Sequence, residues 1–174
     1  MNGDDGVIVA GDLVKTFPGA KHSSPLRAVD GICLRIRAGE LTALVGPDGA
    51  GKTTLMRMIA GLFAPTRGHL KVLDTDVAAH PQQVQNRISY MPQRFGLYED
   101  LSVMENLELY ADLHGVVQEQ RHERFSRLLD MTNLARFTGR PAGKLSGGMK
   151  QKLGLACTLV RLPELLLLDE PSVG

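Results

Sequence analysis

The stretch at residues 46–54, Gly-Pro-Asp-Gly-Ala-Gly-Lys-Thr-Thr, constrains the fold of this 174-residue chain more than any other. Its glycines, Lys52 and Thr53 occupy the fixed positions of a phosphate-binding P-loop. Glycines let the backbone turn tightly, so that several main-chain N–H groups face the oxygens of a phosphate. Lys52 is then expected to contact the β- and γ-phosphates, and the Thr53 hydroxyl to contact a Mg²⁺ ion.

The residues on either side predict the strand and the helix between which a P-loop lies. Residues 41–45 form a short, mostly apolar run, which is typical of a buried strand. Residues 53–60 predict a helix, whose N-terminus adds a partial positive charge beneath the phosphates. A glycine-rich turn that binds nothing is the alternative, and the Lys-Thr pair in register argues against it.

Composition and charge narrow the class of protein. Apolar residues make up 43% of the chain and charged residues 22%, as in an ordinary globular domain with a core. The net charge of +1 gives no reason to expect a broad basic face, so no nucleic-acid partner is predicted. The acidic, polar first residues are unlike a secretory signal, and no apolar run reaches the length of a membrane span. We therefore expect a cytoplasmic protein that associates with the membrane only through a partner.

Cysteine usage points to the same compartment. The two cysteines, Cys33 and Cys157, lie far apart in apolar settings, so no disulfide framework is expected. Both are predicted to be buried small side chains in a reducing compartment.

Two antiparallel strands are predicted before the P-loop. Apolar residues alternate within residues 7–17 and again within residues 28–36, and a polar turn that begins at Pro18 and Gly19 separates them. Phe17 lies at the end of the first strand. Packing in the core and contact with a ligand are both open for its ring.

After the P-loop helix the pattern changes from short strands to helices. Residues 61–68 predict a loop, and residues 70–73 and 88–91 predict strands. Gln93 follows the second of these strands, where it either reaches a metal ion or a water, or only caps a turn. Apolar residues at helical spacing within residues 102–136 predict a helical insertion.

A second glycine-rich segment, Leu-Ser-Gly-Gly at residues 145–148, opens another helix. Ser146 is a good N-cap, and Gly147 and Gly148 leave the first amides uncovered. The segment therefore either binds a second phosphate group or is a plain helix cap. The apolar face of the helix comprises Met149, Leu153, Ala156, Cys157 and Val160.

Four leucines at residues 165–168 predict a strand buried on both faces of a parallel sheet. Asp169 and Glu170 follow at its C-terminal end, where ligands bind in open α/β sheets. Asp169 is a candidate ligand of Mg²⁺, and Glu170 is a candidate activator of water. A charged turn that only ends the strand is the alternative.

The chain resembles the ATP-binding cassette (ABC) family in four motifs and in their order. The motifs are the P-loop, Gln93, the Leu-Ser-Gly-Gly signature segment and Leu-Leu-Leu-Leu-Asp-Glu-Pro at residues 165–171. The resemblance covers essentially the whole chain, and residues 90–107 are similar to ATPase subunits of multidrug-type ABC-2 exporters. It implies an α/β fold, a P-loop NTPase with an ABC ATPase core, an N-terminal antiparallel β-subdomain and an inserted helical subdomain. Residues 1–174 would form a single ATP-binding domain, with the helical subdomain at about residues 100–145.

The resemblance also implies ATP and Mg²⁺ as cofactors. Phe17 would stack on adenine, and Glu170 would be the catalytic carboxylate. The implied nucleotide-binding residues are Phe17, Gly46, Pro47, Asp48, Gly49, Ala50, Gly51, Lys52, Thr53 and Thr54.

Two further contacts are implied by the same resemblance. Thr53, Gln93 and Asp169 would contact Mg²⁺. The signature residues would contact the γ-phosphate of an ATP molecule held by an opposing subunit. These signature residues are Ser146, Gly147 and Gly148.

For the whole protein the resemblance implies ATP hydrolysis that powers a membrane exporter. Its partners would be transmembrane permease subunits and a second ATP-binding domain in a head-to-tail dimer, on the inner face of the cell membrane. The alternatives are a non-transport ABC ATPase acting on ribosomes or DNA and a non-catalytic regulatory fragment. Chromosome-maintenance members place a long coiled coil between the P-loop and the signature segment, whereas fewer than one hundred residues separate Lys52 from Ser146.

The sequence departs from the family pattern at several positions. Asp48 stands where many members have Asn, Met149 replaces the usual Gln, and Lys152 stands where Arg is frequent. None of these removes a contact named above. The sequence ends at Gly174, within the segment that leads to the family's D-loop and before its histidine switch. We therefore expect a piece of a longer cassette that is not a competent ATPase by itself, with an unpaired hydrophobic edge at residues 165–168.

Overall fold

The computed structural model describes residues 6–19 and 24–171. The chain divides into two compact units, Met1–Ile88 and Ser89–Gly174. The turn predicted after Pro18 falls partly on residues 20–23, and the predicted approach to the D-loop falls on residues 172–174, so these parts lie outside the described residues.

A four-stranded antiparallel sheet dominates the first unit. Its strands are β1 (Gly6–Phe17), β2 (Leu26–Arg37), β3 (Arg67–Val72) and β4 (Thr75–Asp76), in the order β2-β1-β3-β4. β1 pairs antiparallel with both β2 and β3, so the two predicted N-terminal strands are confirmed. The buried side chains of the sheet include Ile8, Ala10, Leu13, Val14, Val29, Leu70 and Val72.

A bulge bends β1 near its middle. The register of β1 against β3 shifts between Gly11 and Val14, and Asp12 has a φ of 46°. Opposite the bulge, a Cβ at Gly68 would lie 2.2 Å from the Asp12 carbonyl oxygen, so only glycine fits at that position. On the other side, the Asp12 amide donates to Cys33 Sγ at 3.2 Å.

Cys33 is exposed, so the prediction that both cysteines are buried is wrong for this residue. Its neighbours Ile32 and Leu34 are half-buried. Because side chains alternate along a strand, Cys33 lies on the opposite face of β2, toward solvent. Cys157 is buried, as predicted.

Residues 41–45 do not form a strand, which contradicts the sequence prediction. Leu41 is fully exposed and Val45 is 91% exposed. Neither sheet among the described residues contains this segment, so it has no partner strand there. An apolar run becomes a buried strand only when other elements pair with it and cover it.

The helix predicted after the P-loop is confirmed as α1 (Lys52–Ile59), which buries Leu55, Met58 and Ile59. A second helix, α2 (Pro81–Gln85), follows β4. It is too short for the helical spacing of apolar residues to reveal it in the sequence.

The strands β5 (Ile88–Met91) and β6 (Leu165–Leu168) form a separate two-stranded sheet at the predicted positions. Of the four leucines of β6, only Leu167 is buried. The prediction that this strand is buried on both faces is therefore wrong, because each strand of a two-stranded sheet keeps one open edge and incompletely covered faces.

The second unit is mainly helical, and helices lie within residues 102–136, where the apolar spacing predicted them. It contains α3 (Val103–Leu113), α4 (Gln118–Thr132) and α5 (Gly147–Leu159), with short 3-10 helices at Ala135–Phe137 and Ala142–Lys144. Every predicted residue of the apolar face of α5 belongs to the core of this unit or packs against it. Across residues 6–19 and 24–171, no helix is long and apolar enough to cross a membrane. The buried core residues of the unit are Val103, Leu107, Ala111, Val116, Phe125, Leu128, Leu129, Leu134, Ala142, Leu145, Leu153, Ala156, Cys157 and Val160.

Candidate nucleotide-binding site

The P-loop is an exposed turn that leads into α1. Gly49 and Gly51 have φ values of 77° and 86°, which residues with side chains rarely adopt. Gly51 is the N-cap of α1, and a Cβ there would lie 2.1 Å from the carbonyl oxygen of Ala28. Residues 46–50 are exposed, so the turn is open to a ligand.

Lys52 spans this turn. Its Nζ donates to the carbonyl oxygen of Gly46 at 2.7 Å and to that of Pro47 at 2.8 Å. These two bonds hold the ammonium at the loop, where the oxygens of a phosphate would compete for it. Thr53 and Thr54 lie in the first turn of α1 and are half-buried.

The groups around the turn fit a polyphosphate. They are an ammonium, a glycine-rich main chain and the N-terminus of a helix whose first turn contains no acidic residue. Asp48 is the one acid within the loop, and it is exposed, so water screens its charge.

The pairing of β1 with β2 places Phe17 near the P-loop. Phe17 pairs with Leu26, and Ala28, two residues along β2, is the residue next to Gly51. Two residues of a strand span about 7 Å, so Phe17 is within reach of a nucleotide held at the P-loop. Its half-buried ring packs against the ring of Phe63, with centroids 5.5 Å apart. Packing and ligand contact are compatible here, and adenine stacking stays a prediction.

In the second unit, Asp169 lies at the end of β6 with 4% of its surface exposed. Tyr90 on β5 donates its hydroxyl to Asp169 Oδ2 at 2.9 Å, and the Asp169 amide donates to the Met91 carbonyl at 2.9 Å. The strand therefore fixes the backbone of Asp169, and Tyr90 holds its carboxylate. Sequence reasoning missed Tyr90, because it lies 79 residues before Asp169 and no local signal links the two.

Gln93 and Glu170 lie in direct contact. Gln93 Nε2 donates to Glu170 Oε2 at 2.7 Å. Glu170 has a φ of 52°, a costly conformation for a residue with a side chain, and such conformations cluster at functional sites. The two side chains line a cleft of about 120 Å³ together with Glu99 and Lys150, which form an ion pair at 2.6 Å. The cleft has room for several water molecules.

The signature segment forms the start of α5. Ser146 is its N-cap, as predicted, and Ser146 Oγ accepts from the Met149 amide at 3.3 Å. Gly147 and Gly148 follow and are exposed. A Cβ at Gly148 would meet no atom of the described chain within 4 Å. The start of this helix is therefore open to the approach of a phosphate group.

Burial shifts the pKa of two side chains, Cys157 on α5 and Tyr110 on α3. It raises the pKa of the Cys157 thiol to about 12 and the pKa of Tyr110 to about 12. Both groups are therefore neutral at physiological pH. Cys157 is a core side chain and not a nucleophile, because the reactive form of cysteine is the thiolate.

The predicted site residues fall into two groups. Phe17 and the P-loop belong to the first unit, whereas Gln93, Asp169, Glu170 and the signature segment belong to the second. That Thr53 joins Gln93 and Asp169 at one Mg²⁺ ion stays a prediction. The contact of the signature segment with an ATP molecule of an opposing subunit also stays a prediction.

The sequence matches known proteins over most of its length. The family model described as ABC transporter matches residues 29–173. The chain is 57% identical over 171 residues to the probable multidrug ABC transporter ATP-binding protein YbhF of Escherichia coli (strain K12), with 98% of this chain covered. It is 38% identical over 162 residues to the daunorubicin/doxorubicin resistance ATP-binding protein DrrA of Streptomyces peucetius, with 93% of this chain covered. The chain spans 29% of the length of YbhF and 47% of the length of DrrA.

The fold is similar to that of a solved nucleotide complex. The dimeric structure of a post-hydrolysis state of the ATP-binding cassette MJ0796, bound to ADP and Pi, matches with a TM-score of 0.82 and 26% sequence identity. The match covers 95% of this chain and 74% of that chain.

Proposed function

The chain belongs to the ABC transporter family, and on this premise we propose that it binds and hydrolyses ATP to power a membrane exporter. The expected α/β fold, a P-loop NTPase with an ABC ATPase core, is confirmed by the likeness to solved cassettes. The names of the relatives describe multidrug and drug-resistance transporters, which favours the exporter over an ATPase that acts on ribosomes or DNA.

The observation that carries the proposal is the P-loop conformation with Lys52 held across it. A triphosphate at this loop offers its oxygens to the ammonium in place of the Gly46 and Pro47 carbonyls, and to the main-chain amides of the turn. Bonds from an ammonium to phosphate oxygens are charge-assisted and therefore stronger than the bonds to neutral carbonyls. Phe17 then stacks on the adenine base.

Hydrolysis is assigned to the group around Glu170. Its carboxylate takes the proton of the attacking water, a role that typically contributes about 10²–10⁴-fold to the rate. Gln93 holds Glu170 Oε2 at 2.7 Å and so orients this carboxylate. Thr53, Gln93 and Asp169 would hold Mg²⁺, which neutralises charge on the phosphates when bound. Asp169 suits a metal because its carboxylate is buried and the Tyr90 hydroxyl restrains it.

A second cassette and a permease complete the proposed assembly. The exposed start of α5 at Ser146 suits the γ-phosphate of an ATP molecule bound to a partner cassette in a head-to-tail dimer. The permease would hold the chain on the inner face of the cell membrane. Because each hydrolytic site then needs two cassettes, ATP hydrolysis is expected only in the assembled dimer.

Calorimetric titration with ATP tests the binding step. Lys52→Ala is expected to weaken ATP binding by about tenfold or more, because the charge-assisted bonds to phosphate are lost. The matched control is Lys71→Ala, which removes an exposed lysine of β3 and should leave the affinity unchanged. The same ATP affinity for Lys52→Ala as for the wild type would contradict the proposed site.

Phosphate release tests the hydrolytic step separately. In the assembled transporter, Glu170→Gln is expected to bind ATP normally and to lose about 10²–10⁴-fold in turnover, because the amide cannot accept the proton of water. Wild-type turnover in this variant would reject the role of Glu170.

Drug efflux tests the coupling to export. Cells that produce the protein with its permease should expel daunorubicin, the fluorescent drug named for a relative. Glu170→Gln should abolish this efflux, because hydrolysis drives it. Efflux that persists in the variant would show that this chain does not power the exporter.

A further inference from the structure

Lys15, Phe17 and Phe63 form a cluster beside the P-loop. The two rings meet edge to face, with centroids 5.5 Å apart and planes at 76°. The ammonium of Lys15 lies 5.2 Å from the centroid of Phe17 and 5.5 Å from that of Phe63. Both distances allow cation–π attraction, so Lys15 restrains the two rings together.

The loop that carries Phe63 is fastened to the end of β1. Lys15 Nζ donates to the carbonyl oxygen of Ala64 at 2.8 Å, and the Thr16 amide donates to Thr66 Oγ1 at 3.0 Å. This loop follows α1, the helix that begins at the P-loop. The same helix is therefore linked at its start to the phosphate-binding turn and at its end to the strand that carries the aromatic ring.

We infer that Lys15 and Phe63 are positioning residues, which hold the ring of Phe17 in the orientation that stacks on adenine. This inference rests on the role proposed for Phe17. A phenylalanine at a strand end has two rotatable side-chain torsions, and fixing them when a base binds costs entropy. The edge contact with Phe63 and the nearby ammonium restrict both torsions in advance, so less entropy is lost on binding.

The side chains of the cluster are partly exposed, as a surface that binds a ligand must be. Lys15, Phe17 and Phe63 are all half-buried, whereas the hydrophobic core residues of the same unit, such as Leu13 and Met58, are fully enclosed. A half-buried aromatic pair stabilises the fold less than a core pair and leaves ring surface available to a ligand. The arrangement thus supplies a prepared aromatic surface next to the phosphate-binding turn.

Two affinities test whether Lys15 and Phe63 position the base or instead maintain the fold of the P-loop. They are the affinities for ATP, which has a base, and for inorganic tripolyphosphate, which has none. Phe63→Leu removes the second aromatic ring and Lys15→Met removes the ammonium, while each keeps an apolar side chain. Each variant is expected to raise the Kd for ATP by about three- to tenfold, the range that corresponds to aromatic-pair energies. The Kd for tripolyphosphate, which has no base, should stay within about twofold of the wild-type value.

The loop and the sheet offer matched controls for these two variants. Leu62→Ala changes an exposed side chain in the same loop, and Lys71→Met changes an exposed lysine on β3. Neither control should alter the affinity for either ligand. Equal losses of ATP and tripolyphosphate affinity in Phe63→Leu and Lys15→Met would overturn the inference, because a positioning role for the base leaves the phosphate site intact.

Double variants show whether Phe63 acts through Phe17. In a Phe17→Ala background, Phe63→Leu should raise the Kd for ATP by less than about twofold, because the ring that it positions is gone. Fully additive effects would overturn the inference. If Phe17→Ala weakens ATP binding and neither Phe63→Leu nor Lys15→Met does, the inference is wrong and the proposed function stands. If Phe17→Ala has no effect while Lys52→Ala does, the proposed role of Phe17 is wrong, and this inference with it.

Discussion

Gly148 occupies a helical position where packing within the described chain does not require glycine. A Cβ there would meet no described atom within 4 Å, and the residue is exposed. Glycine inside a helix costs about 0.5–1 kcal/mol relative to alanine. The phosphate contact proposed for the signature segment would account for a glycine at this position.

We expect Gly148→Ala to keep or raise the thermal midpoint and to lower ATP turnover by about tenfold or more, because the new methyl group obstructs that approach. Gly154→Ala is the matched control on the same helix, since a Cβ there would lie 3.1 Å from the ring of Phe95. The control should be less stable than Gly148→Ala. Calorimetric melting and phosphate release measure the two effects. Normal turnover in Gly148→Ala would show that no ligand uses this opening.

Tyr90 shows how a buried carboxylate depends on a donor that is distant in sequence. Tyr90→Phe removes the hydroxyl that donates to Asp169, and burial limits the access of a replacing water. We expect the free energy of unfolding to fall by about 1–3 kcal/mol. Tyr98→Phe, at a side chain that is 53% exposed, should change it by less than about 0.5 kcal/mol. Urea unfolding compares the two, and equal stabilities would mean that the Tyr90 hydroxyl does not help to hold Asp169.

Among the helices, α3 begins with a capping box. Ser102 Oγ accepts from the Glu105 amide at 3.2 Å, and Glu105 Oε2 accepts from the Ser102 amide at 2.7 Å. Hydrogen bonds to its carboxylate from the Ser102 side chain and from the Ser102 amide hold the pKa of Glu105 below its usual value of 4.5. Because the folded-state pKa is the lower one, the contribution to stability is present above the unfolded-state pKa. It is lost as the pH falls through the folded-state pKa.

Acid titration of the unfolding transition tests this cap. Glu105→Gln should lose less stability than the wild type when the pH is lowered from neutrality to below 4.5, because it has no carboxylate to protonate. Ser102→Ala, which removes the other half of the box, should cost about 1 kcal/mol at neutral pH. Urea midpoints at each pH give both quantities. The same acid dependence in the wild type and in Glu105→Gln would contradict the argument.

The elements also show which features the sequence could predict. The apolar face of α5 is complete within one segment, and its spacing predicted the helix and its buried side chains. Residues 41–45 are mostly apolar and β6 consists of four leucines, but the burial of a strand depends on neighbouring elements that the segment itself does not contain. The five residues of α2 complete little more than one helical turn, so they carry no periodic signal.

In the whole molecule, short sequence motifs are combined with contacts between residues that are distant in sequence. The helix after the P-loop, the N-cap at Ser146 and the strand before Asp169 could be predicted because each depends on a short stretch of sequence, and the order of the motifs indicated the family. Contacts that hold Asp169 and the loop beside Phe17 were missed because their partners are distant in sequence. Lys15 bonds to Ala64 across 49 residues, and such a contact exists only after the sheet and the helix have formed.

Residues 41–45 give the molecule an exposed apolar segment beside its P-loop, with Leu41 fully exposed and Val45 91% exposed. An unpaired apolar segment tends to pair with the same segment of another molecule, so we expect self-association at high concentration. The double variant Leu41→Thr, Val45→Thr should scatter less light at equal concentration. Its unfolding free energy should stay within about 0.5 kcal/mol of the wild-type value.

The matched control, Val29→Thr on β2, places a hydroxyl at a side chain that is 3% exposed. It should cost about 1–3 kcal/mol without reducing the scattering. A double variant that loses as much stability as Val29→Thr would show instead that Leu41 and Val45 are covered in solution.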